Sequence, residues 1–267
     1  MRNKRWLFST FLLLAANASA DSLYPDEFAA ATNSKRCQKS SCVSKTYEGP
    51  QGWSFDLGGQ YTWMEFTTPP TFKGSTGGVV GKITYQQTDA FFGQLRTVYN
   101  IGPLSAGKRS SGDSEWYTEI VGGYCASVGR WWTITPYAGF GFDFLTDNKK
   151  AVFAFAPIKL FYRIYYVPIG IEFKYARATW YIGAQFDCFP TFNQYLSIQG
   201  LKGSAWKLSE RVGWDVRLPV GFKLADHYWI ELAPYYRLLP IGSSSVLGLP
   251  HRNLNEYGLF LAFRFFI

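Results

Sequence analysis

The amino-acid sequence predicts an all-β protein, a closed antiparallel up-and-down transmembrane β-barrel of about ten strands, with eight or twelve strands as alternatives. Apolar and polar side chains alternate along many segments of the 267-residue chain. Aromatic residues make up 19% of the chain and charged residues only 17%, while the mean hydropathy is −0.09. Such a composition suits strands that present one apolar face to lipid and one polar face to an interior.

The first twenty residues have the three parts of a secretory signal peptide. MRNKR is basic, residues 6–16 form an apolar run, and Ala18, Ser19 and Ala20 form a small-x-small cleavage site. The apolar run is shorter than the roughly 20 residues that a membrane-spanning helix needs, which disfavours an N-terminal anchor. We therefore expect export of the chain and cleavage before Asp21.

The strands are predicted from side chains that alternate with a period of two residues. In residues 206–224 the even positions are mostly apolar and the odd positions mostly polar, so the two sets fall on opposite faces of one strand. The C-terminal residues alternate in the same way. The predicted strands cover residues 53–64, 79–88, 90–101, 115–128, 131–144, 160–175, 179–189, 206–224, 228–238 and 255–267.

The links between these strands fall into two classes. Short links occur near residue 89 and at residues 127–130, 176–178 and 225–227. Long links occur at residues 67–78, 102–114, 146–159, 193–205 and 241–253. Tight turns at one rim and long loops at the other are typical of an up-and-down barrel in a membrane.

A soluble barrel also alternates apolar and polar side chains, but the interior of ten strands closed around so many aromatic rings would be overfilled. Tryptophans near strand ends are predicted interface anchors, namely Trp53, Trp63, Trp116, Trp132, Trp180 and Trp206.

Residues 53–267 resemble the outer-membrane β-barrel proteins of Gram-negative bacteria. The resemblance is carried by the alternation, by the two classes of link and by a last strand of alternating aromatic and aliphatic residues, although Ile267 stands where that family usually ends in Phe. It implies an integral outer-membrane location with both termini in the periplasm. It also implies an assembly signal, read by the barrel-assembly machinery, made of Tyr257, Leu259, Leu261, Phe263, Phe265 and Ile267.

Residues 21–52 show no strand period, so the chain divides into a signal peptide (1–20), an N-terminal segment (21–52) and the barrel (53–267). The segment is predicted either to lie in the periplasm or to plug the lumen. Its Cys37 and Cys42 are close enough to form a small disulfide loop in an oxidising compartment, and a bridge to another envelope protein is the alternative. Cys125 and Cys188 are predicted on opposite faces of different strands, so a bond between them is not expected.

The polar faces of the strands predict a charged lumen in which about nine basic and about nine acidic side chains balance. Such a balance favours a filled, ion-paired interior over a wide channel. The network that we expect there consists of Arg96, Glu119, Asp143, Glu172, Asp187, Arg211, Asp215, Arg217, Glu231, Arg237 and Arg264.

Further basic residues fall in the predicted long loops, namely Lys73, Lys108, Arg109, Lys149, Lys150, Lys202 and Arg252. Basic outer loops predict contact with lipopolysaccharide phosphates or an anionic surface ligand, and plain solubilising loops are the simpler interpretation. Partners expected besides these are the lipid of the outer membrane, the assembly machinery and an envelope protein joined by a disulfide. No nucleic-acid partner is expected.

The sequence predicts a structural or surface-contact role, or narrow passage of a small solute, and no catalytic, cofactor-binding or metal-binding residues. The alternative is an outer-membrane hydrolase, a protease or lipid-modifying enzyme, with a site in the loops. His251 near Ser243, Ser244 and Ser245 is the residue set that such an enzyme would use. No G-x-S-x-G motif accompanies it, and His227 falls in a tight turn.

Overall fold

The structure, a computed structural model, describes residues 49–67, 70–107, 109–149, 158–200, 205–246 and 248–267. These residues form one closed antiparallel barrel of ten strands, which confirms the predicted fold and strand number. No helix among them has the length and hydropathy that crossing a membrane requires. The predicted signal peptide, residues 21–48, Cys37 and Cys42 lie outside the described residues.

Thirteen strand segments make up the ten barrel strands. The segments β6 and β7 together form one barrel strand, interrupted at residues 167–168, and β9, β10 and β11 together form another, interrupted at residues 209–211 and 218–219. The segments are β1 (Gly52–Phe66), β2 (Phe72–Gln86), β3 (Ala90–Ala106), β4 (Arg109–Val128), β5 (Trp132–Lys149), β6 (Ile158–Tyr166), β7 (Ile169–Ala176), β8 (Trp180–Ile198), β9 (Ala205–Leu208), β10 (Val212–Arg217), β11 (Val220–Ala225), β12 (Tyr228–Ile241) and β13 (Arg252–Phe266).

The barrel closes where the last strand pairs with the first. β13 pairs antiparallel with β1 from Ser54 opposite Phe266 to Phe66 opposite Leu254, and it pairs on its other side with β12. Closure gives every described barrel strand a partner on both sides, which is the condition for a sheet to lie in lipid without exposed backbone groups.

The outward face carries an apolar band with aromatic side chains at both edges. At the rim with the short turns, Trp53 packs on Tyr85 with ring centroids 5.1 Å apart. At the rim with the long loops, Tyr236 packs on Tyr257 at 4.7 Å, and Tyr257 lies opposite Trp63 in the register. The predicted assembly-signal residues lie on this outward face, all at least 38% exposed, namely Tyr257, Leu259, Leu261, Phe263, Phe265 and Ile267.

At the long-loop rim the strands extend further than the alternation predicts. β2 begins at Phe72 instead of residue 79, and the predicted loop 102–114 shrinks to residues 107–108 between β3 and β4. Glycines permit this pairing: a Cβ atom at Gly102 would come within 2.5 Å of the backbone oxygen of Ser75. The glycine-rich sequence hides the alternation there, but it keeps the strands close enough to pair.

The prediction of one continuous strand over residues 206–224 is wrong. The ladder stops at residues 209–211, where Ser209 pairs its backbone N–H with the oxygen of Ser243 at 3.0 Å. This irregular stretch shifts the alternation by one residue, so that side chains on the two sides of it exchange faces. Trp206 therefore packs against the inner apolar cluster instead of anchoring the membrane interface, while Lys207 is exposed.

Candidate functional site

The candidate site is the lumen, which three layers of inward side chains fill. The central layer is built around Arg237 of β12. Its Nη1 donates to Glu115 at 2.5 Å and lies 3.4 Å from Glu256, while Nη2 donates to Asp143 at 2.6 Å. All four side chains are at most 1% exposed, and the guanidinium carbon lies 4.3 Å from the centre of the Tyr117 ring. One buried cation therefore holds three carboxyl groups at the barrel axis.

A second charged layer lies nearer the short-turn rim. Arg264 contacts both oxygens of Asp56, with Nε–Oδ1 at 2.7 Å and Nη2–Oδ2 at 2.8 Å, and Nη2 also donates to Glu231 at 2.5 Å. Lys82 donates to Asp56 and Glu231 at 2.7 and 2.8 Å, and the Tyr181 hydroxyl donates to Glu231. Two cations and two carboxylates from four strands thus compensate one another, which is the arrangement that buried charges need.

Further polar contacts line the inner wall. Tyr137 donates its hydroxyl hydrogen to Asp187, and Arg217 Nη2 donates to Asp215 at 2.6 Å. Lys174 lies 3.1 Å from Glu172, and Glu119 accepts a hydrogen bond of 2.9 Å from Tyr166. The predicted network residues other than Arg211 therefore lie on the inward face.

The prediction that Arg211 belongs to the lumen network is wrong. It falls in the irregular stretch between β9 and β10, where its side chain is exposed and only its backbone bonds to Thr191. Lys207 is exposed for the same reason, and Lys223 reaches Asp226 in the short turn. Six of the nine predicted basic side chains point into the lumen, namely Lys82, Arg96, Lys174, Arg217, Arg237 and Arg264. All nine predicted acidic side chains do so, and by this count the described lumen is acidic and not balanced.

The third layer, at the long-loop end of the lumen, is apolar and was not predicted. We call it the apolar layer, and its members come from eight segments. They are Met64, Phe66, Leu104, Leu145, Tyr162, Ile164, Tyr166, Phe189, Leu196, Leu208, Leu239, Ile241 and Leu254, each at most 5% exposed. A packed apolar layer excludes water from this half of the lumen.

Beyond the outer aromatic edge the outward face of the wall becomes polar and the inward face becomes apolar. In β13 the outward residues change from Tyr257 to Asn255 and Asn253, while Leu254 between them points into the apolar layer. In β4, Trp116 is followed outward by Ser114, Gly112 and Ser110. Polar residues outside and apolar residues inside are typical of a water-soluble barrel, so this end of the wall projects beyond the apolar band.

A pair of buried carboxyl groups lies in this projecting part, outside the apolar band. Asp113 and Asp147 are opposite each other on β4 and β5, and the Ser111 hydroxyl lies 2.7 Å from an oxygen of each. Burial, followed by repulsion from Asp147, raises the pKa of Asp113 to about 7. Lys149 lies 3.3 Å from Asp147 and with Arg252 lines the small cavity beside the pair. No sequence motif marks this pair, because the two residues come from separate predicted loops.

The basic residues predicted for the long loops are spread out. Lys73 and Arg109 are exposed, while Lys149 and Arg252 turn toward the acid pair; Lys108, Lys150 and Lys202 lie outside the described residues. Two basic residues that we did not single out, Lys159 and Arg163, lie on the outward face just beside the outer aromatic edge. Arg163 is opposite Phe144 in the register, and the Lys159 amine lies 5.1 Å from the centre of the Phe161 ring.

The histidines and thiols have ordinary environments. His227 lies in a short turn and contacts the backbone oxygen of Phe266 at 3.2 Å, whereas His251 is exposed. Ser243 pairs with Ser209, and no contact between His251 and a serine occurs among the described residues. Cys125 and Cys188 are free thiols. Within the described ranges no cluster of three or more histidine, cysteine or acidic residues is arranged to hold a metal ion.

Comparison with known proteins relates the chain to others by fold alone. No protein-family model matches the sequence, and no curated protein matches it by sequence. Among solved structures, the outer membrane protease OmpT from Escherichia coli has a TM-score of 0.53 and 8% identity over 82% of this chain and 97% of its own. The translocator domain of the autotransporter NalP from Neisseria meningitidis has a TM-score of 0.47 and 7% identity over 81% of this chain and 89% of its own.

Proposed function

Because the chain has the fold of the outer-membrane β-barrel proteins of Gram-negative bacteria, we propose that it is a non-conducting surface-contact protein of that membrane. In this proposal the barrel is a closed anchor and support. Its working surface is the projecting extracellular end of the wall. The short-turn rim then faces the periplasm.

The observation that carries the proposal is the closure of the lumen by two successive layers. Arg237 and its three carboxyl partners close the centre, and the apolar layer closes the extracellular half. An ion that crossed would have to enter tightly packed hydrocarbon, which costs several kcal/mol or more. A passage for small solutes would need both layers to move together.

The extracellular end supports a contact role because it is built as a rigid, water-exposed structure. Its wall continues in paired strands to Ala106 and Arg109, with polar outward side chains and the apolar layer as its core. A structure that only anchored the loops would not need a core outside the membrane. We propose that its surface holds a partner exposed at the cell surface.

The placement of basic side chains supports lipopolysaccharide as the lipid partner. Lys159 and Arg163 lie at the outer edge of the apolar band, beside Phe161 and Phe144, where the phosphates of the outer leaflet would lie.

We also propose that the barrel-assembly machinery inserts the chain through its last strand. We propose no catalytic activity, since His251 has no serine or acid partner among the described residues.

Planar-bilayer recording of the refolded mature chain tests the proposal. We expect no stepwise conductance at potentials that leave the bilayer intact, and the same result after removal of residues 21–52. Steps in the shortened chain alone would show that the N-terminal segment plugs an otherwise conducting barrel. Steps in the full mature chain would overturn the non-conducting assignment. Heat-modifiable migration on gels serves as the control that both chains are folded.

A further inference from the structure

We propose that the periplasmic half of the lumen binds one small water-soluble oxyanion, a phosphate or carboxylate group, at Arg96. The site is a cavity of about 50 Å³ that extends from Gly52 and Phe266 at the periplasmic rim to Arg96 and Tyr235. We call it the periplasmic chamber. Its size suits a small ion with a few waters.

The lining of the chamber is basic. Five cationic side chains contribute to it, namely Lys82, Arg96, Lys174, Arg217 and Arg264, against two carboxylates, Glu172 and Glu231. Both carboxylates already pair with cations of the same lining. Glu231 accepts from Arg264 and Lys82 at 2.5 and 2.8 Å, and Glu172 lies 3.1 Å from Lys174. Asp56 and Asp215, which are not lining residues, pair with Arg264 and Arg217 at 2.7 and 2.6 Å. Arg96 is therefore the lining cation that no acid in the described part of the chain pairs with at salt-bridge distance.

The Arg96 side chain makes no hydrogen bond or ion pair with another described residue. It is 4% exposed, and its guanidinium carbon lies 5.3 Å from the centre of the Tyr117 ring. Glu119 is opposite it in the register, but among the described residues no hydrogen bond or ion pair joins the two. Nη1 of Arg96 and Nε of Arg217 are both buried donors without an acceptor in the described part of the chain.

Buried charged donors without acceptors are rare, because each loses its hydration without replacement. An oxyanion in the chamber would offer several acceptor oxygens, and a guanidinium matches a carboxylate or phosphate with two parallel hydrogen bonds. The apolar layer blocks approach from outside the cell. The ligand therefore enters from the periplasm as a free solute.

Isothermal titration of inorganic phosphate into the full mature chain, refolded in an uncharged detergent, tests the inference. We expect saturable binding of one phosphate per barrel. Arg96→Gln should weaken binding at least about tenfold, and Arg96→Lys, which keeps the charge but loses the planar fork, should weaken it less. Arg211→Gln removes an exposed arginine that lies outside the chamber and should leave binding unchanged.

A parallel titration of acetate decides between the two classes of oxyanion, and tighter binding of either one supports the site. Heat-modifiable migration shows which variants are folded. If Arg96→Gln does not fold, the comparison of Arg96→Lys with Arg211→Gln carries the test. Heats that do not saturate for both anions, or equal affinities in folded Arg96 and Arg211 variants, would overturn the proposal.

Discussion

Arg264 and Asp56 form a two-contact ion pair across the seam where the barrel closes. Their residues are directly opposite each other on β13 and β1, and their two hydrogen bonds measure 2.7 and 2.8 Å. Both side chains are almost completely buried. The pair therefore joins the first and last strands of the chain, whose pairing has the longest sequence separation in the fold.

Replacing Arg264 by Met should destabilise the barrel by about 3–5 kcal/mol. The substitution leaves Asp56 and Glu231 with only Lys82 for compensation, and unpaired buried charge is costly. Unfolding in urea, followed by tryptophan fluorescence of the refolded protein, measures the change. Arg163→Met is the control, because that arginine is exposed and should change stability by less than about 1 kcal/mol. Equal effects of the two substitutions would show that the seam pair contributes little.

Phe189 and Phe186 offer a matched test of the apolar layer within one strand. Phe189 is 1% exposed inside the layer, whereas Phe186 is 49% exposed on the outward face. Phe189→Ala should lower the free energy of unfolding by about 3–5 kcal/mol, because it leaves a cavity among packed side chains. Phe186→Ala should cost clearly less, since lipid or detergent fills the space. A larger effect at Phe186 would contradict the inward assignment of Phe189 and the packed layer.

The last strand carries a prediction about assembly in cells. Phe265 is outward and Ala262 is inward with no exposed surface. Phe265→Asp should reduce the amount of folded barrel in the outer membrane far more than Ala262→Ser. It removes one of the alternating outward residues and places a charge in the lipid-facing row. Quantitative blotting of outer-membrane fractions, with and without heating, measures this. Similar losses for both variants would argue against a signal read from the outward row.

The sequence predicts the lipid-facing wall well, because lipid demands apolar side chains at every second position. Trp53 and Leu261 could be assigned outward from alternation alone, and both are exposed. The alternation predicts Trp206 outward, but it packs inward, since the phase shift depends on a tertiary contact between Ser209 and Ser243. A single irregular stretch exchanges the inward and outward faces for every residue beyond it, and the sequence carries little signal of such a stretch.

The two ends of the lumen differ in how far the sequence could reveal them. Arg264 and Asp56 lie on clear polar rows, so their inward position follows from alternation, but their pairing depends on the register of a closed barrel. The apolar layer was missed because a wholly transmembrane barrel is expected to be polar inside. The signal was nevertheless present: Leu254 lies between Asn253 and Asn255, which is the alternation of a soluble strand.

Asp113 gives the long-loop end of the barrel a dependence on pH. Its pKa rises from 3.8 to about 7 on folding, because burial and then Asp147 disfavour the charged form. Between these values the folded state binds a proton that the unfolded state has released. The free energy of unfolding should therefore fall as pH rises from about 4 to about 7, by an amount of the order of a few kcal/mol, and then level off.

Asp113→Asn keeps a hydrogen-bonding group beside Ser111 and should abolish most of this slope. Urea unfolding at pH 4.5 and pH 8 measures it: the variant should gain stability over the natural chain at pH 8 and differ little at pH 4.5. Ser114→Asn, a polar outward position on the same strand, is the control and should leave the slope intact. An unchanged slope in Asp113→Asn would mean that another group carries the pH dependence.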